Sequence, residues 1–219
     1  MAIKTPQALR EDLINNAQLL LEKGLCVGTS GNLSVRYKHG MLITPSGISY
    51  ENLLAKQLVF VDAQGQYDAM ANEMPSSEYL MHHYIYQKCT HVDAIVHTHS
   101  VYCTALACMS LSIPAFHYMV AIAGGHDVPC IPYSLFGTQA LAEAASQALL
   151  SRSACLLAHH GAIATGNNIT DAFQLALQLE NLAEIYHQCL QLGKVPLLTE
   201  QQMNEVIQQF SDKKYQQKF

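Results

Sequence analysis

Three histidines and one glutamate are spaced in a way that suits a bound metal ion. His97 and His99 stand two residues apart at the end of a short apolar segment, and His160 lies between two further apolar segments. Side chains two apart on a β-strand point to the same side, so both imidazoles of the first pair can face one ion. With Glu78 as a carboxylate ligand the set suits zinc, and a catalytic zinc keeps one position exchangeable. We therefore predict one zinc ion per subunit.

Each of these residues also has a simpler explanation. The chain contains 11 histidines, and most protein histidines are core or surface residues whose ring nitrogens are satisfied by hydrogen bonds. Glu78 alone would be a first-turn carboxylate that stabilises a helix dipole by about 0.3–1 kcal/mol. His159 precedes His160, and strand alternation would point it away from the ion. The metal hypothesis therefore depends on all four residues meeting.

Three short segments have the composition of a phosphate-binding site. They are Gly28-Thr-Ser-Gly-Asn32, Thr44-Pro-Ser-Gly47 and the pair Ser76-Ser77 at an expected helix N-terminus. Backbone N–H groups in tight turns and at helix N-termini attract anions. Each segment alone is better explained as a turn or a cap. The phosphate hypothesis therefore requires the three segments to lie together.

The bulk composition excludes several classes of protein. The chain has 219 residues, of which 50% are hydrophobic, so we predict a single domain over 1–219 with a mobile tail at 211–219. The formal net charge of −5 offers no basic surface to nucleic acid or to an anionic membrane. The N-terminal residues lack the apolar segment of a signal peptide. We expect a cytoplasmic protein whose partner is a small molecule.

Two further features indicate a buried and reduced core. The region between Asp93 and Asp127 carries no charged residue, but its four histidines, its proline and its Gly-Gly pair would make a poor membrane span. The seven cysteines are odd in number and lack the spacing of a metal or redox motif. We predict that they are reduced core residues.

Hydrophobic periodicity predicts an α/β fold. Strands are predicted at Leu33–Tyr37, Met41–Ile43, Leu58–Val61, Asp93–His97, Pro129–Ile131, Ala154–Ala158 and Ala162–Thr165. Helices are predicted at Pro6–Glu22, from Pro75 to Lys88 with a serine as N-cap, Ser100–Met109, Thr138–Leu150, Asp171–Gln191 with Thr170 as N-cap, and Glu200–Phe210. Helices and strands that do not strictly alternate indicate a central, mostly antiparallel or mixed sheet flanked by helices.

Five motifs, in this order, resemble the class II aldolase/epimerase family. They are Gly28-Thr-Ser-Gly-Asn32, Thr44-Pro-Ser-Gly47, Pro75-Ser-Ser-Glu78, His97-Thr-His99 and His159-His-Gly161. The resemblance covers about residues 7–195. It implies a zinc-dependent aldolase that cleaves L-fuculose 1-phosphate, or a closely related ketose 1-phosphate, to dihydroxyacetone phosphate and an aldehyde such as L-lactaldehyde. It also implies a homotetramer with active sites between neighbouring subunits.

The resemblance further implies a role for individual residues. The zinc ligands would be Glu78, His97, His99 and His160, and the substrate phosphate would be held by Thr29, Asn32, Ser46, Gly47, Ser76 and Ser77. Glu78 would also move protons at C3. Tyr118 would reach into the neighbouring subunit's site, and Tyr215 is the candidate for a further catalytic tyrosine near the C-terminus. No lysine falls within the motifs, which agrees with stabilisation of the enediolate by a metal ion.

Two alternatives stay open on the sequence. The chain could be another enzyme on the same scaffold, either a methylthioribulose- or 5-deoxyribulose-phosphate aldolase or dehydratase, or a pentulose-phosphate 4-epimerase. The epimerases tend to carry aspartate at the position of Glu78, which argues against the last. The chain could also be a non-catalytic scaffold that resembles the adducin head, but that domain lacks the metal site.

Overall fold

A seven-stranded mixed sheet forms the centre of the molecule. The computed structural model describes residues 5–212, and its strands are β1 Asn32–Tyr37, β2 Gly40–Ile43, β3 Val59–Asp62, β4 Ala94–Thr98, β5 Cys130–Ile131, β6 Ala154–Leu157 and β7 Gly161–Gly166. Their order across the sheet is β3-β2-β1-β4-β7-β6-β5. Only the β5–β6 pair is parallel among these strands. The predicted α/β fold with a largely antiparallel sheet is confirmed.

Helices cover both faces of this sheet. They are α1 Pro6–Glu22, α2 Tyr79–Lys88, α3 Val101–Cys108, α4 Gln139–Ala148, α5 Ile169–Leu192 and α6 Glu200–Ser211. Short 3-10 segments lie at Tyr50–Asn52, Ala55–Gln57 and Tyr118–Ala123. Alternate residues of β4 enter different cores: Val96 packs in the cluster with α1, α3 and α5, whereas Ile95 packs in the cluster with α2 and α4. Burial on both faces of the sheet explains why β4 contains no Asp, Glu, Lys or Arg.

Two helix starts differ from the prediction. The helix expected from Pro75 begins at Tyr79, and no serine caps it. Pro75 instead forms a bridge with Pro45, so the preceding backbone pairs with a neighbouring loop before it turns into the helix. The long helix α5 begins at Ile169, two residues earlier than expected, because Asn168 and not Thr170 caps it by accepting a hydrogen bond from the Asp171 N–H at 3.0 Å.

The seven cysteines were predicted to be reduced core residues, and the structure places only some of them in the core. All seven cysteines are free thiols, but only Cys26, Cys89, Cys103 and Cys155 are buried, and Cys108 is exposed. Burial raises the pKa of Cys26 to about 11 and that of Cys155 to about 12, so both stay protonated.

Helix α6 extends to Ser211, and the rest of the expected tail, 213–219, lies outside the described residues. Within residues 5–212 no helix combines the length and apolar content needed to cross a membrane.

Candidate metal centre

The four predicted ligands come from three places at one end of the sheet. His97 is the fourth residue of β4, His99 follows the end of β4, and His160 directly precedes β7. Strands β4 and β7 pair antiparallel, with Thr98 opposite Ala162, so the end of one strand lies beside the start of the other. Glu78 is the residue before α2.

The ligand atoms of these side chains converge. Their metal-binding atoms all lie within 4.8 Å of one another. The Nε2 atom of His97 is 2.9 Å from Nε2 of His99 and 3.0 Å from Oε2 of Glu78, and Nε2 of His160 is 3.1 Å from Oε1 of Glu78. His97 is fully buried and Glu78 is 6% exposed. The condition set by the sequence, that all four residues meet, is satisfied.

The hydrogen bonding of His97 directs a lone pair toward the cluster. Its Nδ1 atom lies 2.9 Å from the carbonyl oxygen of Ala162. A carbonyl oxygen only accepts, so Nδ1 carries the hydrogen, and in the neutral ring Nε2 is the acceptor. A carbonyl that holds the remote nitrogen of a histidine is the usual way in which a ligand ring is oriented toward a metal.

The electrostatics of the cluster also fit a cation. Burial works to raise the pKa of the Glu78 carboxyl, but His97 and His160 more than offset this and hold the pKa well below its ordinary value. Burial, together with the neighbouring His97 and His160, lowers the pKa of His99 to about 4, so its ring is neutral at pH 7. Two imidazole nitrogens 2.9 Å apart beside a buried carboxylate are stabilised either by a proton between them or by a cation among them. This donor set therefore fits a divalent ion such as zinc.

Two neighbouring features allow the metal-binding end of the sheet to form. A side chain at Gly161 would overlap the carbonyl oxygen of Thr98, so a glycine after His160 lets β7 approach β4. Helix α3 follows His99, and Glu180 of α5 caps it by accepting hydrogen bonds from the N–H groups of Tyr102 and Cys103 at 2.8 and 2.9 Å. Sequence reasoning missed Glu180, since its partners are 77 and 78 positions away along the chain.

A cavity of about 490 Å³ opens beside the cluster. Its walls include Glu78, His99 and His160 and all six residues predicted to hold a phosphate, namely Thr29, Asn32, Ser46, Gly47, Ser76 and Ser77. Two of the three segments are joined directly, because the Ser76 N–H donates to the carbonyl oxygen of Thr44 at 3.1 Å. Among the described residues no lysine lines this cavity.

Asn32 takes part in a contact that the sequence did not indicate. Its Nδ2 atom donates a hydrogen bond to Oε2 of Glu78 at 3.0 Å, and both side chains are buried. Asn32 lies opposite His97 in the β1–β4 pair, which places it between the metal cluster and the loop that contains Thr29. Asn32 thus orients the carboxylate from the side of the cavity.

Four residues on the far wall of the cavity were also missed or misplaced. Tyr133, Ser134 and Phe136 line the cavity after β5, and the first and last are mostly exposed aromatic residues. His159 is not part of the metal group, as expected, but it lines the cavity. Strand β6 ends at Leu157 and the backbone of His159 has a positive φ of 57°, so the strand alternation used in the prediction does not apply.

Of the two predicted tyrosines, only Tyr118 belongs to the described part of the chain, and it does not line this cavity. Tyr118 begins the 3-10 segment Tyr118–Ala123, is 50% exposed and packs its ring beside that of His117. Tyr215 lies outside the described residues. Among the described residues, the site built by one chain therefore contains the metal group and the polar loops without Tyr118.

Comparison with known proteins places the fold and the site in a family. The family model described as Class II Aldolase and Adducin N-terminal domain matches residues 11–187, so the chain belongs to that family. The fold, the Glu-His₃ group and the similar aldolases mark it as a class II aldolase, a metal-dependent lyase.

The similar proteins differ in the substrate that they are named for. The chain is 46% identical to a 5-methylthioribulose-1-phosphate/5-deoxyribulose-1-phosphate aldolase from Rhodospirillum rubrum, over 93% of this chain and 91% of that protein. It is 43% identical to an L-fuculose phosphate aldolase from Escherichia coli K12, over 92% of this chain and 94% of that protein. A solved structure of an L-fuculose 1-phosphate aldolase superposes with a TM-score of 0.89 at 37% identity, covering 93% of this chain and 96% of that one.

Proposed function

We propose that this enzyme cleaves a ketose 1-phosphate between C3 and C4, with L-fuculose 1-phosphate as the first candidate substrate. The observation that carries the proposal is the position of the metal-ligand cluster and the three polar loops on one cavity. A 1-phosphate held by the loops would place the first carbons of the sugar against the cluster. The products would be dihydroxyacetone phosphate and an aldehyde.

Zinc is the proposed metal, held by Glu78, His97, His99 and His160. When bound, the ion supplies a Lewis acid at this position, which stabilises developing negative charge on substrate oxygens by several kcal/mol. The loops would hold the phosphate through Thr29, Ser46, Gly47, Ser76 and Ser77, and Asn32 would orient both Glu78 and the anion. Backbone N–H groups and hydroxyls suit this role, since no lysine is found among the described residues that line the cavity.

Glu78 is the proposed acid/base at C3. In cleavage the C3–C4 bond breaks, the electron pair stays with C3, the hydroxyl on C4 loses its proton and C4 becomes the aldehyde carbon. Glu78, released from its ligand role when the substrate binds, would take up a proton from solvent and deliver it to C3, and the proton lost by the C4 hydroxyl would go to a separate base, proposed below as Tyr118. In the reverse condensation the ionised carboxylate of Glu78 would remove the C3 proton.

The terminal group of the substrate is the open part of the proposal. L-fuculose, 5-deoxyribulose and 5-methylthioribulose phosphates all end in an apolar methyl or methylthio group, and the wall formed by Tyr133 and Phe136 is apolar enough to contact such a group. Methyl-sized differences in a hydrophobic pocket change specificity by about 1–3 kcal/mol. The two relatives at 46% and 43% identity support L-fuculose 1-phosphate and the ribulose phosphates almost equally.

A panel of substrates tests the proposal. We expect the zinc-loaded enzyme to release dihydroxyacetone phosphate from L-fuculose 1-phosphate, 5-deoxyribulose 1-phosphate or 5-methylthioribulose 1-phosphate, and to act at least about tenfold less efficiently on a ketose 1-phosphate that ends in a hydroxymethyl group. Release is measured with a coupled dehydrogenase. No release from any member of the panel at full zinc loading would contradict the function.

Tyr118 is proposed to act in the site of a neighbouring subunit of a homotetramer. It is half exposed and absent from the walls of its own chain's cavity, so its hydroxyl is free to meet a second copy. There it would take the proton from the C4 oxygen.

The cytoplasm is the expected location of the enzyme, since membranes retain charged sugar phosphates.

Mixed oligomers test the placement of Tyr118. We expect Tyr118→Phe and Glu78→Gln each to be nearly inactive. When the two variants are co-expressed, about a quarter of the sites should combine an intact Glu78 from one chain with an intact Tyr118 from its neighbour, and these sites should regain activity. Turnover per zinc is compared between the separate and the co-expressed variants. If Tyr118 acts only within its own chain, the mixture stays inactive.

A further inference from the structure

A buried hydroxyl, that of Tyr50, joins the phosphate-binding loops beneath the cavity. Tyr50 opens the 3-10 segment Tyr50–Asn52 and is 2% exposed, so its side chain does not reach the cavity surface. Its hydroxyl donates a hydrogen bond to the carbonyl oxygen of Gly31 at 2.8 Å. The oxygen of the Tyr50 hydroxyl also lies 3.3 Å from Oγ1 of Thr44. Gly31 and Thr44 belong to two different polar loops.

The direction of these hydrogen bonds follows from chemistry. A carbonyl cannot donate, so the hydrogen of the Tyr50 hydroxyl is committed to Gly31, and Thr44 must donate its own hydroxyl hydrogen to Tyr50. The Thr44 hydroxyl in turn accepts from the N–H of Leu33 at 3.2 Å. The Thr44 carbonyl oxygen accepts from the Ser76 N–H at 3.1 Å. A continuous chain of hydrogen bonds therefore connects all three loops through Tyr50 and Thr44.

The hydrogen bonds made by Tyr50 determine the conformation of the Gly28–Asn32 loop. Gly31 has a positive φ of 75°, and a side chain there would come within 2.8 Å of the carbonyl oxygen of His97, so the loop lies directly against the metal-bearing strand. In a trans peptide the C=O and the following N–H point in opposite directions. The Tyr50 contact with the Gly31 carbonyl thus also sets the direction of the Asn32 N–H and the course of the chain from Thr29 to Asn32.

We propose that Tyr50 is a positioning residue for the phosphate site, which keeps the Gly28–Asn32 loop in register with Thr44–Gly47 and Ser76–Ser77. The inference rests on the proposed function, because it assigns to those loops the binding of the 1-phosphate. Burial raises the pKa of the Tyr50 hydroxyl above its ordinary value, so it stays protonated and continues to donate at neutral pH. The ligand class is a phosphate monoester.

The test is Tyr50→Phe, which removes the hydroxyl and leaves the ring in the core. The buried Gly31 carbonyl then lacks its donor, so we expect the Kd of the zinc-loaded protein for inorganic phosphate to rise about five- to tenfold. The KM for the ketose 1-phosphate should rise by a similar factor, with kcat within about twofold of wild type, as for an interaction made equally in the ground state and the transition state. Phosphate binding is measured by isothermal titration calorimetry.

The matched control is Tyr86→Phe. Tyr86 is another buried tyrosine, 6% exposed, and its hydroxyl lies 2.8 Å from Oγ of Ser34, away from the three loops. Both variants should lower the melting temperature, but only Tyr50→Phe should weaken phosphate binding. Equal phosphate affinities in wild type, Tyr50→Phe and Tyr86→Phe would overturn the positioning role.

A second variant tests the same hydrogen bonds in case the Tyr50→Phe protein does not fold. Thr44→Val keeps the shape of the side chain but removes the next hydroxyl of the chain, and it should raise the Kd for inorganic phosphate about fivefold. An unchanged Kd in this variant also overturns the inference. If the wild type and the variants bind phosphate equally well, the positioning role of Tyr50 is wrong but the proposed function still stands. If the wild-type protein neither binds phosphate nor cleaves any ketose 1-phosphate, both the positioning role and the proposed function are contradicted.

Discussion

Glu78→Gln should lower kcat/KM for the cleaved ketose 1-phosphate by at least about a hundredfold, the usual loss when a general acid/base is removed. Glutamine has nearly the same shape and can still accept the hydrogen bond from Nδ2 of Asn32, so the fold should persist. It cannot gain and release a proton as a carboxylate does. Proton exchange at C3 of dihydroxyacetone phosphate, followed by NMR in deuterated water, should fall by a similar factor.

The control for this substitution is Glu143→Gln. Glu143 is exposed on α4, where it accepts a hydrogen bond from Gln139, so the same change of chemistry occurs far from the cavity. We expect wild-type kinetics from it. Near-normal turnover by Glu78→Gln at full metal loading would remove Glu78 from the mechanism. A protein that has lost its metal would instead show that the carboxylate is needed mainly as a ligand, so metal content is measured on the same samples.

His97→Ala should weaken zinc binding by at least about a hundredfold and abolish cleavage. Removing even an outer hydrogen-bond partner of a ligand typically changes affinity by about 10–100-fold, and His97 is itself a proposed ligand at the centre of the cluster. Its Nε2 atom contacts both His99 and Glu78. Zinc per chain is measured by mass spectrometry of the metal after equilibrium dialysis against a defined free zinc concentration.

His83→Ala is the matched control for the metal. His83 is also a buried histidine, 8% exposed, but its Nε2 atom lies 2.9 Å from the side chain of Gln87 and it is not part of the cluster. Both variants lose a buried imidazole, and His97→Ala also leaves the Ala162 carbonyl without its partner, so both should unfold at a lower temperature. Only His97→Ala should lose zinc. Full zinc stoichiometry in that variant would refute the ligand assignment.

Features that depend on local sequence could be predicted from the sequence. The spacing His97-Thr-His99 predicts two imidazoles that face the same side at a strand end, because the period of a strand is set by the backbone alone. In the structure the two rings do meet, although β4 ends at Thr98. The helix at Pro6–Glu22 and the strands at the centre of the sheet follow from periodicity and from the uncharged region around β4. The candidate ligands and the phosphate loops could likewise be named, since each is a short motif.

The tertiary structure decided which of these motifs meet and what holds them together. Asn32 and Glu78 are 46 positions apart, and Tyr50 and Gly31 are 19 apart, so neither hydrogen bond leaves a local signal in the sequence. The same reason explains the late start of α2, since the bridge between Pro45 and Pro75 competes with helix formation. A residue's type and its neighbours along the chain determine which chemistry it can perform. The pairing of distant segments determines whether it stands where that chemistry is needed.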